Sequence, residues 1–195
     1  MKPVWLTTLR PRKLPFRRRL SRASVALIYR HVDGGETELL FIQRARREGD
    51  PWSGDMAFPG GRMQADDASA SAAAQRETRE EIGLDLTRHG HFRGRLSDLL
   101  TRRHSQWRPM VVTPYVFEWC GTDDSITNHE VQRVVWIPVS FLSAVENQSV
   151  RLWRSPLGAL RMPCCRYREY CIWGLSYSML QEFLTSGLIP MASRA

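Results

Sequence analysis

Three glutamates within five residues, Glu77, Glu80 and Glu81, give this chain its strongest chemical signal. They stand in the run Arg76-Glu77-Thr78-Arg79-Glu80-Glu81, which follows an alanine-rich stretch from Ala70 to Ala74. That composition favours a helix, and Gly83 stands where a helix C-cap belongs. At about 100° per residue the three carboxylates share one side of the helix. Like charges so placed repel one another, which costs stability on a merely structural helix. The same arrangement suits holding a hard divalent cation through oxygen. Arg76, four residues before Glu80, is spaced to pair with it. Asp66 and Asp67 lie in the loop ahead of the helix, and Asp67 reads equally as a metal carboxylate or as an N-cap accepting orphan N–H groups.

Carboxylates that gather Mg²⁺ or Mn²⁺ suit a substrate that brings its own negative oxygens, such as a diphosphate. The metal offsets charge on the bridging and leaving oxygens and acidifies the attacking water. Mg²⁺ keeps several waters and takes one or two protein carboxylates, so a neighbouring glutamate is left to orient or deprotonate the nucleophile.

The elements that must position these residues are legible as patterns. Ser24 to Tyr29 reads as a buried strand, His31 to Glu36 as hairpin-turn chemistry, and Glu38 to Gln43 as the return strand. A basic loop, Arg44-Ala45-Arg46-Arg47, then leaves the sheet. Gly49 to Gly54 is turn-rich, and Met56-Ala57-Phe58 runs into Pro59-Gly60-Gly61. After the acidic helix, His91 to Leu96 is a strand candidate. Met110 to Trp119 is a stronger one that Pro114 should interrupt. A basic polar loop, Thr101 to Pro109, joins the two. Glu130 to Pro138 reads as a strand followed by a short helix over 139–145, and 170–184 has helical apolar spacing in its second half. Strands on both sides of one acidic helix, with a second helix near the end, predict an α+β sandwich with helices on a mixed sheet.

The motif resembles that of the Nudix hydrolases, G-x5-E-x7-R-E-U-x-E-E-x-G-U with U a bulky apolar residue. Arg76 to Leu84 fits its second half, with Thr78 in a U position. The first half departs: the sixth residue after Gly61 is Asp67, and eight residues rather than seven separate it from Arg76. The resemblance implies a Nudix-type α/β/α sandwich, a loop–helix–loop site and a diphosphatase activity dependent on Mg²⁺ or Mn²⁺. It assigns Glu77 and Glu81 as principal metal ligands, Glu80 as a supporting ligand paired with Arg76, and catalysis to Glu80 and Glu81. The base varies in position across the superfamily, and Glu118 and Glu130 are candidates here, each reading equally as a surface or strand-end glutamate. Leu39-Leu40-Phe41-Ile42-Gln43-Arg44-Ala45 followed by Gly54 to Gly61 is similar to the segment of the coenzyme A pyrophosphatase group, typically LLTxRS and GxxxFPGG. Phe41 and Ala45 depart from it. Glu130-Val131, Trp136-Ile137-Pro138, Tyr167 and Ile172 to Ser176 extend the likeness. This implies coenzyme A or an acyl-CoA as substrate, met by Arg44, Gly60, Gly61 and Arg62, with Arg46 and Arg47 near enough to meet a 3′-phosphate. ADP-ribose or a dinucleotide is the alternative substrate. A nucleotide- or RNA-binding protein on the same scaffold is the alternative class.

At 195 residues the chain suits one domain with a full core. The net charge is +8, and residues 1–22 hold eight basic and no acidic residues, so the rest is formally neutral. The expected division is a basic arm, 1–22, and a single domain, 23–195. Such an arm can steer anions, bind nucleic acid or a membrane surface, serve as an organellar presequence, or simply be solvated. Pro11 and Pro15 disfavour one continuous helix in it. No run of about 18 apolar residues suggests a transmembrane helix, and no signal-peptide pattern stands out. Cys120, Cys164, Cys165 and Cys171 form neither CxxC nor zinc spacing, which fits reduced thiols and a cytoplasmic location. The expected partner is a small nucleotide rather than nucleic acid; a homodimer is compatible with the sequence, which leaves the oligomeric state open.

Overall fold

The computed structural model of the protein describes residues 11–50, 52–103, 106–122, 124–155 and 158–188. A single 3₁₀ turn, Arg17–Arg19, leads into β1, Ser21–His31. The turn through Gly34 and Gly35, both at positive φ, returns the chain as β2, Thr37–Arg44. These two antiparallel strands pair directly only beside their turn, at Tyr29↔Leu39, Arg30↔Glu38 and His31↔Thr37. Beyond that they part, and the gap is filled by β3, Met56–Ala57, on β2 and by β4, Gly60–Arg62, on β1.

The acidic helix α1 spans Ala70–Ile82, and a one-turn α2, Leu86–His89, follows. Then come β5, Gly90–Arg95, β6, Leu99–Arg103, and β7, Gln106–Trp119. β8, Val131–Pro138, precedes a short α3, Val139–Ser143. The last part holds β9, Gln148–Ser155, β10, Gly158–Tyr167, β11, Tyr170–Trp173, and α4, Gly174–Thr185. Among the described residues eight strands form one mixed sheet, with β1 parallel to β7 and antiparallel neighbours elsewhere, while β9–β11 form a separate three-stranded sheet.

Alternation along the strands sorts the core into two layers. Leu27, Tyr29, Leu39 and Phe41 face one way, onto Met179, Leu180 and Phe183 of α4 and Ile172 of β11. Ala26, Ile28, Leu40 and Ile42 face the other way, onto Ala74 and Ile82 of α1 with Leu84 and Leu86. Each strand therefore reads as continuously apolar because both faces are covered. The expected α/β/α sandwich is present.

Three sequence expectations change. Pro114 does not interrupt its strand: β7 runs through it. It falls where β7 changes partner, because β6 pairs as far as Val112 and β5 from Tyr115 onward, so its missing N–H breaks neither ladder. The loop expected over 101–109 is the β6–β7 hairpin end, of which 104 and 105 lie outside the described residues. The sheet β9–β11 had no counterpart in the sequence reading.

The basic arm also divides. Residues 1–10 lie outside the described residues, but 11–20 dock on the body. Arg12 N–H donates to Ser97 Oγ at 3.0 Å, Leu14 N–H to Asp98 Oδ2 at 2.9 Å, and Asp98 N–H to the Arg12 carbonyl at 2.9 Å. Asp98, its side chain fully buried, lies 3.3 Å from Arg17 and 2.6 Å from Arg95. A buried carboxylate needs such partners. Arg17 is thus spent on the fold, and β1 begins before the expected boundary at residue 23.

Candidate active site

The parting of β1 and β2 builds the site. Gly60 pairs with Val25 across the gap, at φ 150, and a Cβ there would lie 2.3 Å from the Ser24 carbonyl oxygen. Only glycine fits. Its N–H, left free by the splayed sheet, donates to Glu81 Oε2 at 2.8 Å. Gly61 meets the second carboxylate: a Cβ there would lie 2.5 Å from the Glu77 carboxyl carbon. The two glycines are the floor on which Glu77 and Glu81 rest, one turn apart on α1.

Ser69 caps α1, accepting from Ala72 N–H at 3.0 Å, and Gly83 closes it in the left-handed conformation. Thr78 is wholly buried, and its hydroxyl donates to the Ala74 carbonyl at 2.7 Å, so a polar residue is satisfied in an apolar position. Asp67 is therefore not the cap. It receives Arg76 in a fork, Nε to Oδ1 at 2.9 Å and Nη2 to Oδ2 at 3.1 Å, and accepts the Gln64 N–H at 2.7 Å. Arg76 holds its carboxyl below the usual range. The same guanidinium reaches Glu77 and Glu80, each at 3.0 Å, and the Arg62 carbonyl at 3.1 Å. Arg76 thus ties loop, β4 and helix together; of these bonds, the one to Glu80 is the pair its spacing predicted.

The three glutamates do not share one environment. Glu80 is 53 % exposed and turned to Arg76, whereas Glu81 is 6 % exposed. Burial pushes the Glu81 carboxyl up to about 8; the Gly60 N–H and Arg44 work against this, and the charges of Glu77 and Glu130 add to it. Burial likewise raises Glu77, against the pull of Arg76, with Glu80 and Glu130 adding repulsion. Among the described residues no three His, Cys, Asp or Glu side chains converge into a preformed cage. The three glutamates expected as ligands thus stand in three environments: Glu81 buried, Glu77 half-buried and Glu80 exposed to one side.

The two downstream candidates for the base separate. Ile126 N–H and Asn128 N–H donate to the Ile82 and Glu81 carbonyls at 3.0 and 2.9 Å, capping the open end of α1. That lacing brings Glu130 to face Glu77 and Glu81, with Arg47 at 3.4 Å. Glu118, on β7, instead accepts from Arg93 and Tyr29 and faces His31, which takes it out of the site. Nothing in the local sequence distinguishes the two; the Asn128-His129-Glu130 loop is recruited through its backbone.

Of the residues expected to meet substrate, Arg44 bonds Asp50 at 2.6 Å and its charge acts on Glu81, with its buried Nε lacking a hydrogen-bond partner. Gly60 and Gly61 serve through their backbone. Arg62 offers its carbonyl to Arg76, and its side chain is exposed.

A carboxylate pair, Glu81 buried and Glu77 half-buried, on a Gly-Gly floor beside a sandwich whose central hairpin is split, defines a class. The family model described as NUDIX domain matches residues 20–155, and the chain belongs to that family. It is a Nudix hydrolase of pyrophosphate bonds; such enzymes act on small nucleotide substrates and generally need a divalent metal. Among similar curated proteins, an uncharacterized Schizosaccharomyces pombe protein is 42 % identical over 57 % of this chain, and the match spans only 35 % of that protein's length. The mitochondrial coenzyme A diphosphatase NUDT8 of Mus musculus is 25 % identical, over 94 % of this chain and 83 % of its own. Among solved structures, a MutT/nudix family protein from Enterococcus faecalis superposes with TM-score 0.56 at 18 % identity, covering 89 % of this chain and 62 % of the other. A Caenorhabditis elegans Ap4A hydrolase complex does so with TM-score 0.52 at 22 % identity, covering 62 % and 82 %. These two likenesses concern the fold alone. No described helix is long and apolar enough to cross a membrane.

Proposed function

We propose that the enzyme hydrolyses the diphosphate of coenzyme A or an acyl-CoA, giving 3′,5′-ADP and 4′-phosphopantetheine or its acyl form. The observation that carries this reading is the likeness to a coenzyme A diphosphatase along 94 % of the chain, joined to the segment from Leu39 to Gly61.

The residues fit a divalent cation, Mg²⁺ or Mn²⁺. Burial raises the proton affinity of both Glu81 and the half-buried Glu77, Glu77 adds to it at Glu81, and Glu130 adds at both. Positive charge between them would relieve that repulsion. Glu77 and Glu81 would hold the ion, with Glu80 steadied by Arg76 beside them. When bound, it supplies charge neutralisation for the diphosphate and acidity to the attacking water. The chain's own groups do the rest. Gly60 and Arg76 orient Glu81 and Glu77. Arg44, next to Glu81, offsets negative charge on the substrate. Glu130, the half-exposed carboxylate of the site, accepts the proton of the attacking water. All four cysteines are free thiols, which supports a reducing location such as the cytoplasm.

The test is a panel of coenzyme A, acyl-CoA, ADP-ribose and dinucleotides with Mg²⁺ or Mn²⁺, with product masses measured. Efficient release of 3′,5′-ADP from coenzyme A is expected. Efficient cleavage of ADP-ribose or a dinucleotide, with coenzyme A untouched, would overturn the substrate and leave the diphosphatase.

A further inference from the structure

Strands β9 and β10 form a hairpin that reaches past the body. Their register runs from Cys165↔Gln148 to Gly158↔Ser155, and β9 is the edge of its three-stranded sheet. The inner half is packed on both faces. On one, Cys165 joins the core under α4, and Tyr177 O–H donates to Gln148 Oε1 at 3.0 Å. On the other, Arg151 lies 3.0 Å from Asp55 and 4.3 Å from the Trp173 ring centre. The outer half instead carries apolar side chains into solvent. Leu152 is 67 % exposed on the first face, while Leu160 at 50 % and Trp153 at 39 % stand opposite one another on the second.

Apolar side chains scattered singly over a surface need no explanation; gathered on one element they mark a surface that meets something. Placement and charge indicate what this one meets. A protein partner laid on a sheet covers one face, whereas here neighbouring positions on both faces are apolar and exposed. A medium that surrounds the hairpin covers both. Residues 148–167 also hold four arginines and no acidic residue, although residues 23–195 as a whole are formally neutral. Arg161, exposed and directly opposite Leu152, stands beside the apolar end. A lipid surface with anionic headgroups matches both features. Tryptophan suits the boundary between water and acyl chains, and arginine can bury its aliphatic stem there while its head stays at the phosphates.

We propose that the end of this hairpin docks the enzyme on an anionic membrane surface. Leu152, Trp153 and Leu160 enter the boundary between headgroups and acyl chains, and Arg161 meets the phosphates. The dimensions agree. Trp153 and Leu160 stand two residues in from the last pair, and Leu152 and Arg161 three, so at ~3.3 Å per residue the element spans about 10 Å. Interfacial elements sink about 5–10 Å. Deeper entry is opposed by the open edge of β9, whose backbone groups have no partner strand on that side among the described residues. The hairpin therefore rests in the surface and does not span it. Docking uses neither Glu77 nor Glu81 and is independent of which diphosphate is cleaved.

The test is co-sedimentation of the full chain with vesicles of phosphatidylcholine, alone and with phosphatidylglycerol added. Strong binding is expected only to the anionic vesicles. The double variant Leu152→Ser, Leu160→Ser should weaken it by about tenfold or more, with the melting temperature kept because both side chains face solvent. Brominated lipids should quench the tryptophan fluorescence of the bound wild type, and Trp153→Phe, which removes one of seven tryptophans, should lose most of that quenching. Absence of binding to anionic vesicles overturns the membrane assignment. Binding unchanged in the double variant also overturns it, and puts adsorption through the basic arm in its place. A dimer in solution that the double variant splits, with no vesicle binding, assigns the hairpin to a second copy of the chain and overturns it as well.

Discussion

Glu118 and Glu81 belong to two charged clusters served by the same strand. One gathers beside Tyr29 and the other beside Val25, ~13 Å apart along β1 at ~3.3 Å per residue. At the Tyr29 end Glu118 is balanced: Arg93 and Tyr29 donate to it and His31 faces it, so its carboxyl is held below the usual range despite burial. At the Val25 end burial raises both Glu81 and Glu77 and the charge of Glu130 adds to each, and burial outweighs Arg44 and the Gly60 N–H at Glu81. A balanced cluster is finished as it stands. An unbalanced one costs folding free energy until a cation or substrate completes it, which is the mark of a working site. Counting carboxylates would not separate the two; counting what neutralises them does.

The largest effect should come from removing charge at the unbalanced end. Glu81→Gln is expected to lower turnover by roughly two to three orders of magnitude, while Glu118→Gln leaves turnover unchanged. Steady-state rates on any cleaved diphosphate decide this, and equal losses in both variants would dissolve the contrast. Glu130→Gln should follow, with kcat reduced by about 100-fold. Wild-type turnover in that variant would return Glu130 to the surface.

Stability effects are smaller and run in opposite directions at two buried carboxylates. Asp98 is fully paired, so Asp98→Ala strands Arg17 and Arg95 and should cost about 3 kcal/mol or more in denaturant unfolding. A chain starting at Ser21 loses the same anchor and should melt earlier than one starting at Pro11; equal melting would restore 11–20 to a dispensable arm. Glu81 should show the reverse. Its folded value, about 8, lies above its ordinary 4.5, so the folded state binds the proton more tightly. The stability this contributes is fully present below pH 4.5 and is lost as pH rises through 8. Metal-free protein should therefore fall in Tm between pH 5 and 8 by a few degrees, at about 2–4 °C per kcal/mol. Glu81→Gln should flatten that slope, and Mg²⁺ should raise Tm more at pH 8 than at pH 5. A wild-type curve that matches the variant's would mean Glu81 ionises normally.

Much of this was legible beforehand because it is local. Helix α1 from Ala70, its stop at Gly83 and the Arg76–Glu80 pair follow from composition and from a spacing of four, which any helix turns into adjacency. The β1–β2 hairpin follows from Gly34-Gly35 between apolar runs. Asp67 was legible as an acid but not as a partner, since its bond to Arg76 spans a loop, and Ser69 won the cap by standing next to the helix. β9 and β10 escaped because exposed residues interrupt their apolar pattern; Leu152, Trp153 and Leu160 face solvent while Cys164 and Cys165 are buried.

The sequence by itself determined the carboxylate helix, its stop at Gly83, the Arg76–Glu80 pair and a chemistry of anionic diphosphates, because these depend on residue types a few positions apart. Only the tertiary structure decided which carboxylates are buried, that Glu130 and not Glu118 joins them, and that Arg17 is structural. Each of those depends on segments tens of residues apart meeting across a split sheet, and on desolvation and charge pairing that exist only once the chain has packed.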